Sequence, residues 1–192
     1  MWALILGLIL FLGPHSVRIV APAWRDARLA AWGERRWKLS YTAVSLVGLL
    51  LILWGYGQAR LDPHPLWATP RGMNHLAGLL MLGSLILLAA AYVPRNHLKA
   101  KLGHPMVLAV KLWALGHLLA NNTVADLVLF GAFLVWAVLD YRSARRRPEP
   151  RPPAGTARGT AIAVAIGVVV WIVFVAGLHR ALIGVSPFPT VG

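Results

Sequence analysis

Cysteine is absent from this chain of 192 residues. Its absence excludes disulfides, iron–sulfur clusters, thiolate ligands and cysteine nucleophiles. Acidic side chains are also scarce, since Asp and Glu together number six. Paired-carboxylate catalysis and a carboxylate proton relay are therefore not expected. The chain also contains no H-E-x-x-H, G-x-S-x-G or P-loop motif, so the sequence carries none of these catalytic or nucleotide-binding signatures.

Hydrophobic residues, in contrast, make up 58% of the chain, and charged residues only 13%. A soluble domain has roughly a quarter charged residues. The apolar residues form long runs, and about 20 apolar residues in a helix span the hydrocarbon core of a bilayer. The sequence therefore predicts an all-α, polytopic membrane bundle in contact with the lipid bilayer. Six transmembrane helices are predicted, at residues 1–20, 40–57, 73–93, 104–120, 124–139 and 160–178.

The net charge of +13 is distributed unevenly between the loops. The loops after the first, third and fifth runs carry fourteen Lys and Arg residues, whereas the other loops carry only Arg60 and Arg71. Basic residues accumulate in cytoplasmic loops. This pattern predicts a multi-pass protein of a bacterial inner membrane with both termini in the periplasm. Because no nucleic-acid-binding fold accompanies the charge, nucleic acid is not an expected partner.

The apolar runs divide unequally along the chain. Residues 1–141 hold five of them, residues 142–159 are rich in Arg and Pro, and residues 160–192 hold the last. We interpret these parts as a bundle of five helices, a cytoplasmic linker and an accessory transmembrane helix, because the last run has no polar residue in its interior. Glycines recur inside the runs, and such small residues could also support a homo-oligomer.

Ionisable side chains inside a membrane are costly and are functional candidates by default. The histidines provide most of them here, because the chain has seven. Four lie inside or at the ends of apolar runs: His15, His75, His104 and His117. The other three are predicted to be solvated or interfacial: His64, His97 and His179.

His117 shares a helix face with Trp113 and Asn121, which lie four residues to either side of it. Gly116 beside it leaves space for a large group to approach. Two interpretations are open at this point. The histidine could form an interhelical hydrogen bond, or it could be a ligand of a metal or haem iron.

His15 follows Pro14, which lacks a backbone donor and so frees a carbonyl one turn earlier. The histidine could donate a hydrogen bond to that carbonyl at the end of the helix. Alternatively, it could be an axial ligand of a haem, with Arg18 one turn further on to meet a propionate.

Four segments extend over most of residues 1–141: FLGPHSVR at 11–18, GHPM at 103–106, and the stretches 113–121 and 126–141. In order and spacing they resemble the NnrU family of bacterial membrane proteins. That family is named for an association with denitrification, in the handling of nitrite and nitric oxide. The resemblance implies a role in this pathway and does not define a reaction.

The NnrU family is similar to plant zeta-carotene isomerase, a membrane enzyme that binds haem b through two histidines. The resemblance implies that His15 and His117 are the axial ligands of a haem b in this chain. It also places Arg18 near a propionate, and gives Trp113 and Gly116 the role of shaping the pocket.

Two points complicate this pairing. Ala114 stands where the isomerase has a cysteine that can exchange as a ligand, so that exchange is not expected here. A helix rises ~1.5 Å per residue, which puts His15 about 20 Å from the outer face and His117 within about 10 Å of it. Two ligands of one iron should lie at similar depth. His75 with His117, and His15 with His104, therefore stay open as alternatives.

Three functional hypotheses follow. The first is a haem-b-binding inner-membrane protein of the NnrU type, which acts in nitrogen-oxide metabolism as a sensor, an enzyme or an electron carrier. The second is a haem-dependent isomerase of a carotenoid-like polyene. The third is a cofactor-free transporter or scaffold, in which the histidines are hydrogen-bonding contacts between helices.

Overall fold

The structure, a computed structural model, describes residues 1–148 and 152–188. Apart from two isolated β-bridges, the regular structure in these ranges is helical, which confirms the prediction of an all-α membrane bundle. The helices are α1 (Trp2–Val20), α2 (Pro22–Ala59), α3 (Met73–Tyr92), α4 (His97–Leu102), α5 (Pro105–Ala120), α6 (Val124–Ala144), α7 (Ala157–Val173) and α8 (His179–Ile183), with a π-helical turn (Phe174–Leu178) between the last two.

Five helical segments are long and apolar enough to cross a membrane: α1, α2, α3, α6 and the continuous stretch Ala157–Ile183. The sixth predicted span is α5, whose 16 residues make it ~24 Å long, somewhat shorter than a hydrocarbon core of about 30 Å. Large apolar side chains such as Leu50, Leu53 and Val169 are exposed on these helices, as contact with lipid requires. The chain is therefore a membrane protein.

The long helices pack side by side in the order α2, α1, α6, α5, α3, α7. Their connections alternate between two ends of the bundle. The end that we call the basic end carries the α1–α2 junction and residues 94–104 and 142–148. At the opposite end, the 60–72 loop pairs with the α5–α6 turn, since the Leu66 amide donates to the Asn122 carbonyl at 2.7 Å and the Val124 amide to the His64 carbonyl at 3.1 Å.

Glycines bring α1 and α2 into backbone contact. A methyl group on Gly7 would lie 2.6 Å from the Ile52 amide nitrogen, and one on Gly48 would lie 2.6 Å from the Phe11 amide nitrogen. No side chain fits at either position, so these glycines set the distance between the helices. Glycine on α7 has the same effect against α3, because a methyl group on Gly167 would meet the Ile86 backbone. The division into a five-helix bundle, a linker and an accessory helix stays a prediction, but α7 packs closely on the rest.

Residues 21–39 differ from the expectation. The sequence suggests a basic loop there, whereas the structure continues α2 through this stretch. Pro22 occupies the first turn, where a proline is favourable, and good helix formers follow. The break comes at Gly33, whose φ of 77° interrupts the helix and lets its two parts take different directions. The basic side chains of this part consequently project from a helix next to α1.

Candidate ligand-binding cavities

Two cavities contain two of the four histidines that the sequence singles out, His15 and His117. The first, which we call the basic cavity, has a volume of about 710 Å³ and lies between α1, α2, α5 and α6 near the basic end. His15 and Arg18 line it from α1. Apolar walls come from α5 and α6, including Val107, Val110 and Phe133. A volume of this size is within the range of pockets that bind small molecules and cofactors.

Backbone geometry fixes the proton on the His15 ring. Its Nδ1 lies 2.6 Å from the carbonyl oxygen of Phe11, and a carbonyl can only accept a hydrogen bond, so Nδ1 carries the hydrogen. In the neutral ring, Nε2 then has a free lone pair. The ring is also stacked on Phe11, at a centroid distance of 4.4 Å, and lies 5.0 Å from the Tyr41 ring. This is the arrangement in which a histidine binds a metal through Nε2.

Charged side chains line the rest of the basic cavity. Lys38 lies 2.6 Å from Glu34 and Arg147 lies 3.1 Å from Asp140. Arg25 lies 2.8 Å from its neighbour Asp26. In the described lining, the basic side chains outnumber the acidic ones, Glu34 and Asp140, by four to two: Arg18, Arg25, Lys38 and Arg147. An anionic group on a ligand would be favourable here.

The basic cavity also contains a hydrogen-bond donor that has no partner among the described residues. Trp136 lines the basic cavity, and its buried indole N–H has no hydrogen-bond partner among the described residues. A buried donor without a partner costs free energy, and a ligand with an acceptor group would remove that cost. The Trp136 ring lies edge-on to His15, at a centroid distance of 6.0 Å.

The second cavity, which we call the apolar cavity, has a volume of about 700 Å³ and lies between α3, α5, α7 and residues 185–188. Trp113, Gly116 and His117 line it from α5. Among the described residues in its walls there is no Lys, Arg, Asp or Glu. Its chemistry therefore differs from that of the basic cavity, although the volume is similar.

His117 repeats the geometry of His15. Its Nδ1 donates to the Trp113 carbonyl at 2.8 Å, which again leaves Nε2 with a free lone pair. Its ring is stacked on Phe130 at a centroid distance of 4.6 Å. Asn121, which the sequence places on the same face, donates to the His117 carbonyl at 2.8 Å. Gly116 lets α5 approach α3, since a methyl group there would lie 3.3 Å from the Ala77 carbonyl oxygen.

A comparison with protein families shows the family to which the chain belongs. A family model described as NnrU protein matches residues 3–187. The chain belongs to the NnrU family. The match includes α7 and the residues that follow it, beyond the segments that suggest the resemblance. No curated protein and no solved structure matches the chain.

In this NnrU-family chain, His15 and His117 line different cavities. Aromatic rings separate them. Phe11 is stacked on His15, and its ring centroid lies 5.7 Å from that of Phe133. The Trp113 ring lies 5.3 Å from the Phe133 ring and 5.3 Å from the His117 ring. The pairing of the two histidines on one iron stays a prediction. It would require one of the two imidazoles to pass between these aromatic rings.

The other two histidines of the open pairings lie elsewhere. His75 is stacked on Phe188, with a centroid distance of 5.4 Å, and His104 precedes α5 and lies edge-on to the Tyr141 ring at 6.3 Å. Neither lines the basic or the apolar cavity in the described part of the chain. That part also contains no group of three or more His, Cys, Asp or Glu residues suited to a metal ion. A bound metal would need most of its ligands from another source, as a haem iron has from its porphyrin.

His179 is a cavity histidine that the sequence pattern does not single out as a ligand. It begins α8 directly after the π-helical turn, lines the apolar cavity with His117, and bonds through Nδ1 to the Val185 carbonyl at 2.7 Å. Its only sequence signal is its place at the end of an apolar run, which also describes His117. The turn that brings it to the cavity has no signature that we recognise in the sequence.

Proposed function

We propose that this NnrU-family protein binds haem b in the basic cavity, with His15 as an axial ligand, and acts in nitrogen-oxide metabolism. The observation that carries this proposal is the His15 ring itself, which has Nδ1 bonded to the Phe11 carbonyl and Nε2 without a partner among the described residues. That arrangement orients an imidazole for iron. The association of the family name with denitrification supports this pathway.

The walls of the basic cavity fit the group. A haem has a flat apolar ring and two anionic propionates, so it needs apolar walls on one side and cations on the other. Val107, Val110 and Phe133 could meet the ring. The propionates could meet Arg18 and Arg25, in charge-assisted hydrogen bonds. The apolar cavity lacks such cations among its described walls, which favours the basic cavity for this cofactor.

Ligation by one histidine has a chemical consequence. A haem iron held by a single imidazole keeps a position at which it can bind nitric oxide. In this arrangement His15 would supply the protein ligand, Phe11 and Tyr41 would hold its ring in place, and the basic side chains would hold the propionates. His117 would remain outside the cavity. The pair implied by the resemblance, His15 with His117, is the alternative.

Absorption spectra of the detergent-purified protein, made with ample haem and then reduced with dithionite, test this proposal. We expect a Soret band that His15→Ala removes and His117→Ala retains. His64→Ala is the matched control, because His64 also bonds through Nδ1 to a carbonyl, that of Asp62, but lies in an exposed loop.

Three other results would change the assignment. Loss of the band in both His15→Ala and His117→Ala would support the pair of ligands implied by the resemblance. Loss in His117→Ala alone would move the haem to the apolar cavity. No haem band in the parent protein would overturn the cofactor proposal and leave the cofactor-free scaffold or transporter.

A further inference from the structure

We infer that the apolar cavity binds a hydroquinone, an apolar ring with two hydroxyl donors, and that His117 and His179 accept its hydrogen bonds. Both histidines line this one cavity. The inference concerns a second site and does not depend on whether the basic cavity holds a haem. A hydroquinone has an apolar ring that suits the walls, two donors for the two histidine acceptors, and no charge.

Backbone carbonyls fix the tautomer of both imidazoles and leave each Nε2 as a hydrogen-bond acceptor. Nδ1 of His117 donates to the Trp113 carbonyl, and Nδ1 of His179 donates to the Val185 carbonyl. Since a carbonyl oxygen cannot donate, each neutral ring keeps its only hydrogen on Nδ1. Neither Nε2 atom has a hydrogen-bond partner among the described residues. A ligand that satisfies both atoms must therefore bring two donors.

The walls select an uncharged and largely apolar molecule. Aromatic rings come from α5, α7 and the C-terminal segment: Trp113, Trp171, Phe174 and Phe188. Since no Lys or Arg is present among the described lining residues, a haem in this cavity would leave its propionates without cations there. A polyene without hydroxyl groups would leave both imidazole acceptors unpaired. A hydroquinone has the apolar ring for the walls and the donors for the histidines.

The end of α7 and the residues after it form one wall of this cavity. Trp171 donates from its indole N–H to the Gly78 carbonyl at 2.9 Å, which fixes α7 against α3. Phe188 covers Gly78, because a methyl group there would lie 2.5 Å from the Phe188 ring. The π-helical turn Phe174–Leu178 directly precedes His179, and such turns often occur at functional sites. His179, which follows this turn, lines the cavity together with residues of α5.

Titration of the whole detergent-purified protein with tetramethylhydroquinone, under reducing conditions and followed by calorimetry, tests the inference. Removal of one acceptor in His117→Phe or His179→Phe should weaken binding about fivefold, since a hydrogen bond contributes ~1 kcal/mol and about 1.4 kcal/mol corresponds to a factor of ten. His64→Phe should leave the affinity unchanged, because the His64 side chain is exposed and is not among the described residues that line the cavity.

A matched ligand tests the same point without any substitution. The dimethyl ether of tetramethylhydroquinone has the same ring but no donors, so it should bind the unaltered protein about 25-fold more weakly, because two hydrogen bonds of ~1 kcal/mol each are lost. Equal binding of the two molecules, or no binding of the hydroquinone, would overturn the inference even if the phenylalanine variants failed to fold. Haem spectra run on the same samples keep the two proposals apart: loss of a Soret band in His179→Phe would assign this cavity to haem and also overturn it.

Discussion

The basic cavity and the apolar cavity have similar volumes, and each has a histidine whose Nδ1 donates to the carbonyl four residues earlier. Their charged neighbours differ. His15 has Arg18 and Arg147 in the same walls, whereas His117 has His179 and aromatic rings. The helix backbone therefore fixes the proton on each imidazole, and the surrounding walls determine which ligand the imidazole can bind.

The two cavities also differ in their position in the row of helices. The basic cavity includes α1, α2 and α6, and the apolar cavity includes α3 and α7, while α5 contributes to both. Trp113 on α5 and Phe133 on α6 are in ring contact between them. Substitutions in α1 or α2 should therefore act first on the basic cavity, and substitutions in α7 on the apolar cavity.

The largest effect is expected from Gly7→Ala, which places a methyl group 2.6 Å from the Ile52 amide nitrogen. Backbone cannot move aside as a flexible side chain can, so α1 and α2 must separate. We expect a loss of about 3 kcal/mol in the free energy of unfolding, the upper range for overpacking. Thermal unfolding in detergent measures it.

Gly13→Ala is the control for this prediction. It makes the same change in the same helix, but its methyl group would meet nothing within 4 Å. An equal loss of stability in the two variants would mean that the close contact between α1 and α2 at Gly7 does not account for the loss.

The sequence predicts some of these features well and others not at all. Apolar runs locate the membrane helices because each helix must match the bilayer thickness, and Pro105 marks the start of α5 because proline suits the first turn of a helix. The role of His179 depends on a turn and on a carbonyl, that of Val185, which become neighbours only after packing. The separation of His15 from His117 depends likewise on rings from α1, α5 and α6, which no local pattern reveals.

Trp171→Phe tests the construction of the apolar cavity. It removes the indole N–H and leaves the Gly78 carbonyl on α3 without this donor. We expect a loss of about 1.5 kcal/mol in the free energy of unfolding, the upper range for one intramolecular hydrogen bond. Chemical unfolding should show this, together with weaker binding of the hydroquinone. Trp2→Phe, at a side chain that is 67% exposed, should change the stability little. Equal effects of the two variants would contradict the role given to the Trp171 hydrogen bond.

The smallest effect is expected from Asp140→Asn, and it tests the charge of the basic cavity. Asp140 holds Arg147 at 3.1 Å, and both side chains are more than four-fifths buried. Loss of the carboxylate adds one positive charge to the balance of the cavity and frees Arg147 for another anion. We expect protoporphyrin IX, which has two propionates and no iron, to bind about fivefold more tightly, equivalent to ~1 kcal/mol. A fluorescence titration measures this affinity.

The gain in affinity should shrink at high salt, because part of the cavity is open to solvent and mobile ions screen the added charge. Asp62→Asn provides the comparison, since it makes the same substitution in an exposed loop at the other end of the bundle. An increase that is the same for both variants would indicate a general effect of net charge. An increase confined to Asp140→Asn would locate the anionic groups of the ligand in the basic cavity. No increase, or weaker binding, would mean that those groups lie elsewhere, and the contrast between the two cavities would then rest on the histidines alone.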